Sequence, residues 1–146
     1  MSQTKVGDLI ITRSFAAPID RVFEAWLSRE QWQAWIGPEG VDCEVLELDA
    51  RVGGHYRLEM RPGGSGTIKV AGVFKAIEPP HALSFTWGAE GDSARQSMIS
   101  IRFFEKAGQT EMVFSQAGLG EGVEGHRKGW DSAFIKLARH VEGANA

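Results

Sequence analysis

The spacing of apolar residues switches period along this chain, and each switch predicts a change of element. Residues 8–15 (Asp8-Leu9-Ile10-Ile11-Thr12-Arg13-Ser14-Phe15) are apolar and β-branched and run into Ala16-Ala17-Pro18. That pattern predicts a strand that ends before a helix carrying Pro18 in its first turn. Val22, Phe23, Trp26 and Leu27, spaced i, i+1, i+4, i+5, give that helix one apolar face. Ser28 and Gln31 form an S-x-x-Q capping box that opens a second short helix through Trp35, which Gly37-Pro38 stops.

From Val41 to Ala117 the period is two. Val41 to Asp49 reads as a strand, and Gly53-Gly54 separates it from His55 to Arg61. In that second run Tyr56, Leu58 and Met60 share one face, while His55, Arg57, Glu59 and Arg61 share the other, so one face is buried and one is wet. A turn over Pro62 to Gly66 leads to a strand from Thr67 to Ile77, and Pro79-Pro80 breaks it from Ala82 to Trp87. Ser97 to Phe104 and Thr110 to Gln116 flank Lys106-Ala107-Gly108 as a hairpin. Their inward sets are Ile99, Ile101 and Phe103 against Met112 and Phe114.

After a glycine-rich loop from Gly118 to Gly125, the period returns to that of a helix. Trp130, Phe134, Leu137 and Val141 fall at i, i+4, i+7, i+11, with most charges elsewhere, which predicts one long amphipathic helix to about Val141. The order is strand, two short helices, six strands, long helix, in a single domain over 1–146. It does not alternate as a parallel βαβ fold does, so the expected class is α+β with an antiparallel sheet whose apolar face buries the stripe of the last helix.

Composition sharpens this picture in one respect. Eight Phe and five Trp stand against a single Tyr, so the core is aromatic. Sixteen Lys and Arg against nineteen Asp and Glu leave a formal charge of −3, without the basic excess that a phosphate backbone demands, and nucleic acid is not an expected partner. No stretch approaches the roughly 20 apolar residues that span a bilayer, and the N-terminal residues lack a secretory apolar run, so a cytoplasmic protein with no membrane span is expected. The lone Cys43 reads as a small buried apolar side chain in a reducing compartment.

Chemistry-bearing motifs are scarce. Gly120-Glu121-Gly122-Val123-Glu124-Gly125 has the form G-x-G-x-x-G, but its helix ends the sequence, and Glu121 and Glu124 would repel a pyrophosphate. His55, His81, His126 and His140 show no metal-ligand spacing, so neither a metal nor a cofactor is expected. There is no G-x-S-x-G elbow, and acids such as Asp42, Glu44 and Glu47 fall on wet faces. No catalytic residue is therefore assigned. His126, four residues before Trp130, shares the helix stripe and faces the space between helix and sheet.

Five motifs in order carry a resemblance. They are Ala17-Pro18-x-x-x-Val22-Phe23-x-Ala25-Trp26; Trp32-x-x-Trp35-x-Gly37-Pro38; Val52-Gly53-Gly54-x-Tyr56-Arg57; Gly72-x-Phe74 with Pro79-Pro80 and Leu83-x-Phe85-Thr86-Trp87; and Gly129-Trp130. From about Ile10 to Val141 the chain resembles the activator of heat-shock-protein-90 ATPase homologue family, within the START-like (SRPBCC) superfamily. The resemblance implies a helix-grip fold, a curved antiparallel sheet around a long C-terminal helix, with two short helices closing one end and a cavity between. In eukaryotic co-chaperones such a domain accompanies a separate N-terminal domain, whereas at most nine residues precede the first strand here.

The leading expectation is a binding protein whose cavity accepts a small hydrophobic or aromatic molecule. Its expected wall is Trp35, Tyr56, Leu58, Met60, Phe74, Phe85, Trp87, Met112, Phe114, His126, Trp130 and Phe134, with Tyr56 and His126 as polar handles. The same side chains could instead fill a solid core. Two further readings are a cyclase or dehydratase using the same cavity, and an interaction module that docks a chaperone or forms a homodimer.

Overall fold

The computed structural model describes residues 8–61, 66–92 and 96–143. Strand β1 (Leu9–Phe15) leads into helices α1 (Ile19–Glu24) and α2 (Arg29–Trp35). Strands β2 (Asp42–Leu48), β3 (His55–Arg61), β4 (Ile68–Glu78), β5 (Ala82–Ala89), β6 (Ser97–Lys106) and β7 (Gln109–Ala117) follow, and α3 (Val123–Gly143) comes after a single 3-10 turn, Gly120–Gly122. The expected turn over Pro62 to Gly66 lies largely outside the described residues.

All seven strands form one antiparallel sheet in the order β1-β7-β6-β5-β4-β3-β2. Consecutive strands β1 and β2 are thus the two edges, and α1 and α2 bridge them. Register shifts at Val45/Glu47 and at Phe74/Ala76 add local twist and curl the sheet. Helix α3 lies in the concavity with Trp130, Ala133, Phe134, Leu137 and Val141 buried. This is the α+β helix-grip arrangement that the resemblance implied. Among the described residues, no helix is long and apolar enough to cross a membrane.

Local chemistry accounts for the helix ends. Ser28 Oγ accepts from the Gln31 N–H at 3.1 Å, the capping bond that the S-x-x-Q spacing predicts. Pro18 sits one residue earlier than expected: it is the extended N-cap of α1, and its carbonyl takes the Arg21 and Val22 N–H groups. Helix α3 begins at Val123, inside the segment expected to be loop. Its entry is held by Leu119, which packs on the core and accepts from the Gly122 N–H at 3.0 Å, so tertiary burial overrides glycine's low helix propensity there. The Ala107-Gly108 turn has both residues at positive φ, the twist that a two-residue hairpin needs.

Edge strand β2 is not left open. The Gln33 side chain donates to the Cys43 carbonyl at 2.6 Å and accepts from the Val45 N–H at 2.7 Å, while Arg29 Nε donates to the Val45 carbonyl at 2.9 Å. Side chains of α2 thereby occupy backbone positions that a further strand would use. At the other edge, Glu142 accepts from the Ala16 N–H at 2.9 Å and ties the end of α3 to β1.

The core is a continuous aromatic cluster. Trp26 is its hub, with ring centroids 4.6 Å from Trp35, 6.1 Å from Phe85, 6.1 Å from Phe134 and 6.2 Å from Trp130. The indole N–H groups of Trp26 and Trp32 have no acceptor among the described residues. Both rings have edge-to-face partners, Trp35 and Tyr56, a geometry in which a ring face can stand in for an oxygen.

Candidate functional site

Helix α3 changes character along its length, and that change opens a cavity. Its C-terminal half presents Phe134, Leu137 and Val141 to the sheet and fills the space. Its first turns present Gly125, Gly129 and Ala133, which cannot reach across, and a cavity of about 620 Å³ remains there. The opposite wall comes from the ends of strands: Met60 of β3, Ile68 and Val70 of β4, Trp87 of β5 and Ser97 of β6. Gly37 and Pro38, after α2, close one side, and Gly118 and Leu119, after β7, another.

The floor is aromatic, and the Trp130 indole has its hydrogen bond already committed. Trp87 and Trp130 lie 4.9 Å apart, and Phe114 backs Trp130 at 4.8 Å. Trp130 Nε1 donates to Gln116 Oε1 at 2.9 Å, Gln116 Nε2 donates to Ser97 Oγ at 2.9 Å, and Ser97 Oγ donates to the Trp87 carbonyl at 2.7 Å. This buried chain fixes the Trp130 indole and ties it to the β5 backbone at Trp87, since each polar group it contains would be costly to leave unpaired. Ser97 and Gln116 were not foreseen. Their positions carried a signal: each continues the inward alternation of Ile99, Ile101 and Phe103, or of Met112 and Phe114, as a polar residue at an apolar position.

The twelve residues expected at the wall divide in two. Met60, Trp87, His126 and Trp130 line the cavity. Trp35, Tyr56, Leu58, Phe74, Phe85, Met112, Phe114 and Phe134 lie in the aromatic core with no exposed surface, away from that wall. The strand residues in both groups share the inward parity; what separates them is the size of the α3 side chain opposite. The two expected polar handles part in the same way. Tyr56 donates its hydroxyl to the Thr86 carbonyl within the core, and burial holds its phenol well above its ordinary pKa of 10.0. His126 stands at the cavity, its Nδ1 2.9 Å from the Gly122 carbonyl oxygen.

Charged side chains are scarce on this wall. Among the described residues no Asp or Glu lines it, and Lys69, which contributes to the rim, alternates with inward Ile68 and Val70 and is paired with Glu59 across the β3–β4 ladder. Among the described residues, no group of three or more His, Cys, Asp or Glu is gathered to hold a metal ion. The buried Cys43 beside Gly37 is a poor nucleophile: burial pushes its thiol up to about 11, with nearby Lys136 pulling weakly the other way. The arrangement can desolvate an apolar molecule, stack it on indoles and offer it one imidazole.

Comparison with known proteins places this geometry in a family. No curated protein matches the chain in sequence. Among solved structures, one protein of Chromobacterium violaceum is 26% identical with a TM-score of 0.85, covering 93% of this chain and 97% of that one. The AHSA1 protein of Silicibacter pomeroyi is 28% identical with a TM-score of 0.78, over 92% and 97% of the two chains. A Staphylococcus epidermidis protein, at 21% identity and a TM-score of 0.82 over 97% and 93%, shares the fold. The family model described as Activator of Hsp90 ATPase homolog 1-like protein matches residues 16–142, and the chain belongs to that family.

Proposed function

We propose that this protein binds a small apolar, ring-bearing molecule in the cavity beneath the first turns of α3. The observation that carries the reading is the cavity itself. At about 620 Å³ it falls within the roughly 300–1,000 Å³ of small-molecule sites, and its wall is apolar and aromatic with few polar groups. The Trp130 side of its floor is ordered before any ligand arrives, because the hydrogen-bond chain from the Trp130 indole through Gln116 and Ser97 to the Trp87 carbonyl is already complete. Binding then spends little free energy on ordering side chains.

Binding fits the wall better than catalysis does. Proton transfer in a cyclase or dehydratase calls for a group held by an orienting partner near a second reacting group. Among the described residues the titratable side chains at the cavity are His126 and, at the rim, Lys69, and the described partner of His126 is a backbone carbonyl. A reducing cytoplasm, where Cys43 remains a thiol, is the compartment we assign.

The test is titration with neutral apolar probes such as naphthalene derivatives, followed by tryptophan fluorescence and by melting temperature. Saturable quenching that weakens in Trp130→Phe or Trp87→Phe supports the reading. A ligand at 100 times its Kd adds about 2.7 kcal/mol to stability, a rise of roughly 5–10 °C for a chain of this length. A library of such compounds that changes neither signal overturns it, and would leave chaperone docking or self-association as the function to pursue.

A further inference from the structure

Resting on the cavity reading above, we infer that the site selects neutral ring compounds bearing a hydroxyl, and that His126 Nε2 accepts that hydroxyl's proton in a hydrogen bond. The tautomer follows from the partner. Nδ1 of His126 lies 2.9 Å from the Gly122 carbonyl oxygen, and a carbonyl only accepts, so Nδ1 carries the hydrogen. In the neutral ring Nε2 is then a bare lone pair, and it has no partner among the described residues. The ring is also held in place: a Cβ on Gly122 would sit 3.4 Å from Nδ1 and 3.6 Å from Cε1, so the imidazole lies against the glycine.

Two other polar side chains at the cavity have spent their donors, while the Trp87 indole N–H and the rim ammonium of Lys69 keep theirs. Ser97 Oγ gives its hydrogen to the Trp87 carbonyl, and the Trp130 N–H goes to Gln116. His126 Nε2 is the side-chain acceptor left open among the described lining residues, so a ligand hydroxyl finds a partner there that a ketone or ether cannot use. Cationic ligands are disfavoured because among the described residues no carboxylate lines the cavity, so a cation would lose its hydration without a counter-charge. The chemistry this acceptor favours is a neutral phenol or alicyclic alcohol, its ring against Trp87 and Trp130 and its hydroxyl toward the start of α3.

A matched pair of probes tests this: 2-naphthol and 2-methoxynaphthalene, which share a ring system and differ in the donor. Calorimetric titration of the wild type is expected to show naphthol binding about three- to tenfold more tightly, the net worth of one neutral hydrogen bond. In His126→Phe the preference collapses toward unity while the methoxy compound still binds. In His126→Gln, whose amide oxygen can accept, the preference survives; circular dichroism melts confirm that each variant is folded. Equal binding of the two probes to the wild type overturns the selectivity and leaves the cavity reading standing. A preference unchanged in His126→Phe overturns the assignment to that residue. If neither probe binds the wild type, the cavity reading falls and this one with it.

Discussion

The Tyr56 hydroxyl donates to the Thr86 carbonyl across an intervening strand. Tyr56 lies on β3, Thr86 on β5, and the residue between them in β4 is Gly72, paired with Tyr56 in the register. A Cβ at Gly72 would fall 2.6 Å from the Tyr56 hydroxyl and 2.0 Å from the Thr86 carbonyl oxygen. The β4–β5 ladder pairs Ala71 with Gly88 and resumes at Phe74 with Phe85. In the gap, the Val73 N–H goes to Thr86 Oγ1 at 2.9 Å, and the phenol takes the carbonyl. Gly72→Ala is therefore expected to destabilise by about 3 kcal/mol or more, at the upper end for overpacking because one clash is with backbone. Tyr56→Phe, which orphans the carbonyl, should lose about 1–3 kcal/mol. Urea denaturation measures both. Equal stability of Gly72→Ala and wild type would show that this crossing does not exist.

That crossing also marks what the sequence could and could not reveal. Alternation in His55 to Arg61 shows that Tyr56 points inward, and the Ser28-Gln31 spacing places a cap that forms. Both are local signals, expressed within a few residues. Whether an inward aromatic lines a cavity or fills a core depends on what stands opposite it in space, and parity is silent on that. Phe85 and Trp87 are two residues apart on the same face of β5, yet only Trp87 reaches the cavity, because Gly125 and Gly129 lie over that end of the sheet. The void is written in small residues, which a search for aromatic and polar groups passes over.

Tyr56 is the one tyrosine in the chain, so tyrosinate absorbance reports on it alone. Its phenol is held above the ordinary value of 10.0 by burial, so above that pH the folded protein keeps a proton that the unfolded chain loses. With more protons bound when folded, stability falls as pH rises beyond about 10, and the contribution is complete below it. The expected result is that tyrosinate absorbance appears together with the loss of near-ultraviolet dichroism. A Tyr56 that ionises near pH 10 in a folded protein would contradict its burial.

Gln33 predicts a different kind of failure. Its amide holds the Cys43 carbonyl and the Val45 N–H at the outer side of β2. Gln33→Leu removes both bonds and exposes a strand edge beside an apolar side chain. A loss of about 1–2 kcal/mol should be accompanied by concentration-dependent association, because an open edge is a template for pairing. Denaturation curves and light scattering at several concentrations separate the two effects. A variant that is destabilised but stays monodisperse would mean that Arg29 alone suffices to guard the edge.

The small residues of α3 set stability against binding. Glycine in a helix costs about 0.8–1.0 kcal/mol relative to alanine, and a Cβ at Gly125 would meet nothing within 4 Å, while one at Gly129 would meet only Pro38 at 3.7 Å. Gly125→Ala and Gly129→Ala are each expected to raise stability by about 0.5–1 kcal/mol, or roughly 2–4 °C per kcal/mol. Ala133 is buried on the cavity wall, so Ala133→Leu places its added carbons in the void. If the void is real, that leucine is accommodated with little loss of stability and weakens a bound naphthalene probe more than tenfold. In a filled core the same change would overpack and cost about 1–3 kcal/mol. Melting temperature and probe affinity, measured on one variant, therefore distinguish a binding cavity from a solid core: only a cavity lets the protein gain side-chain volume, stay folded and lose its ligand.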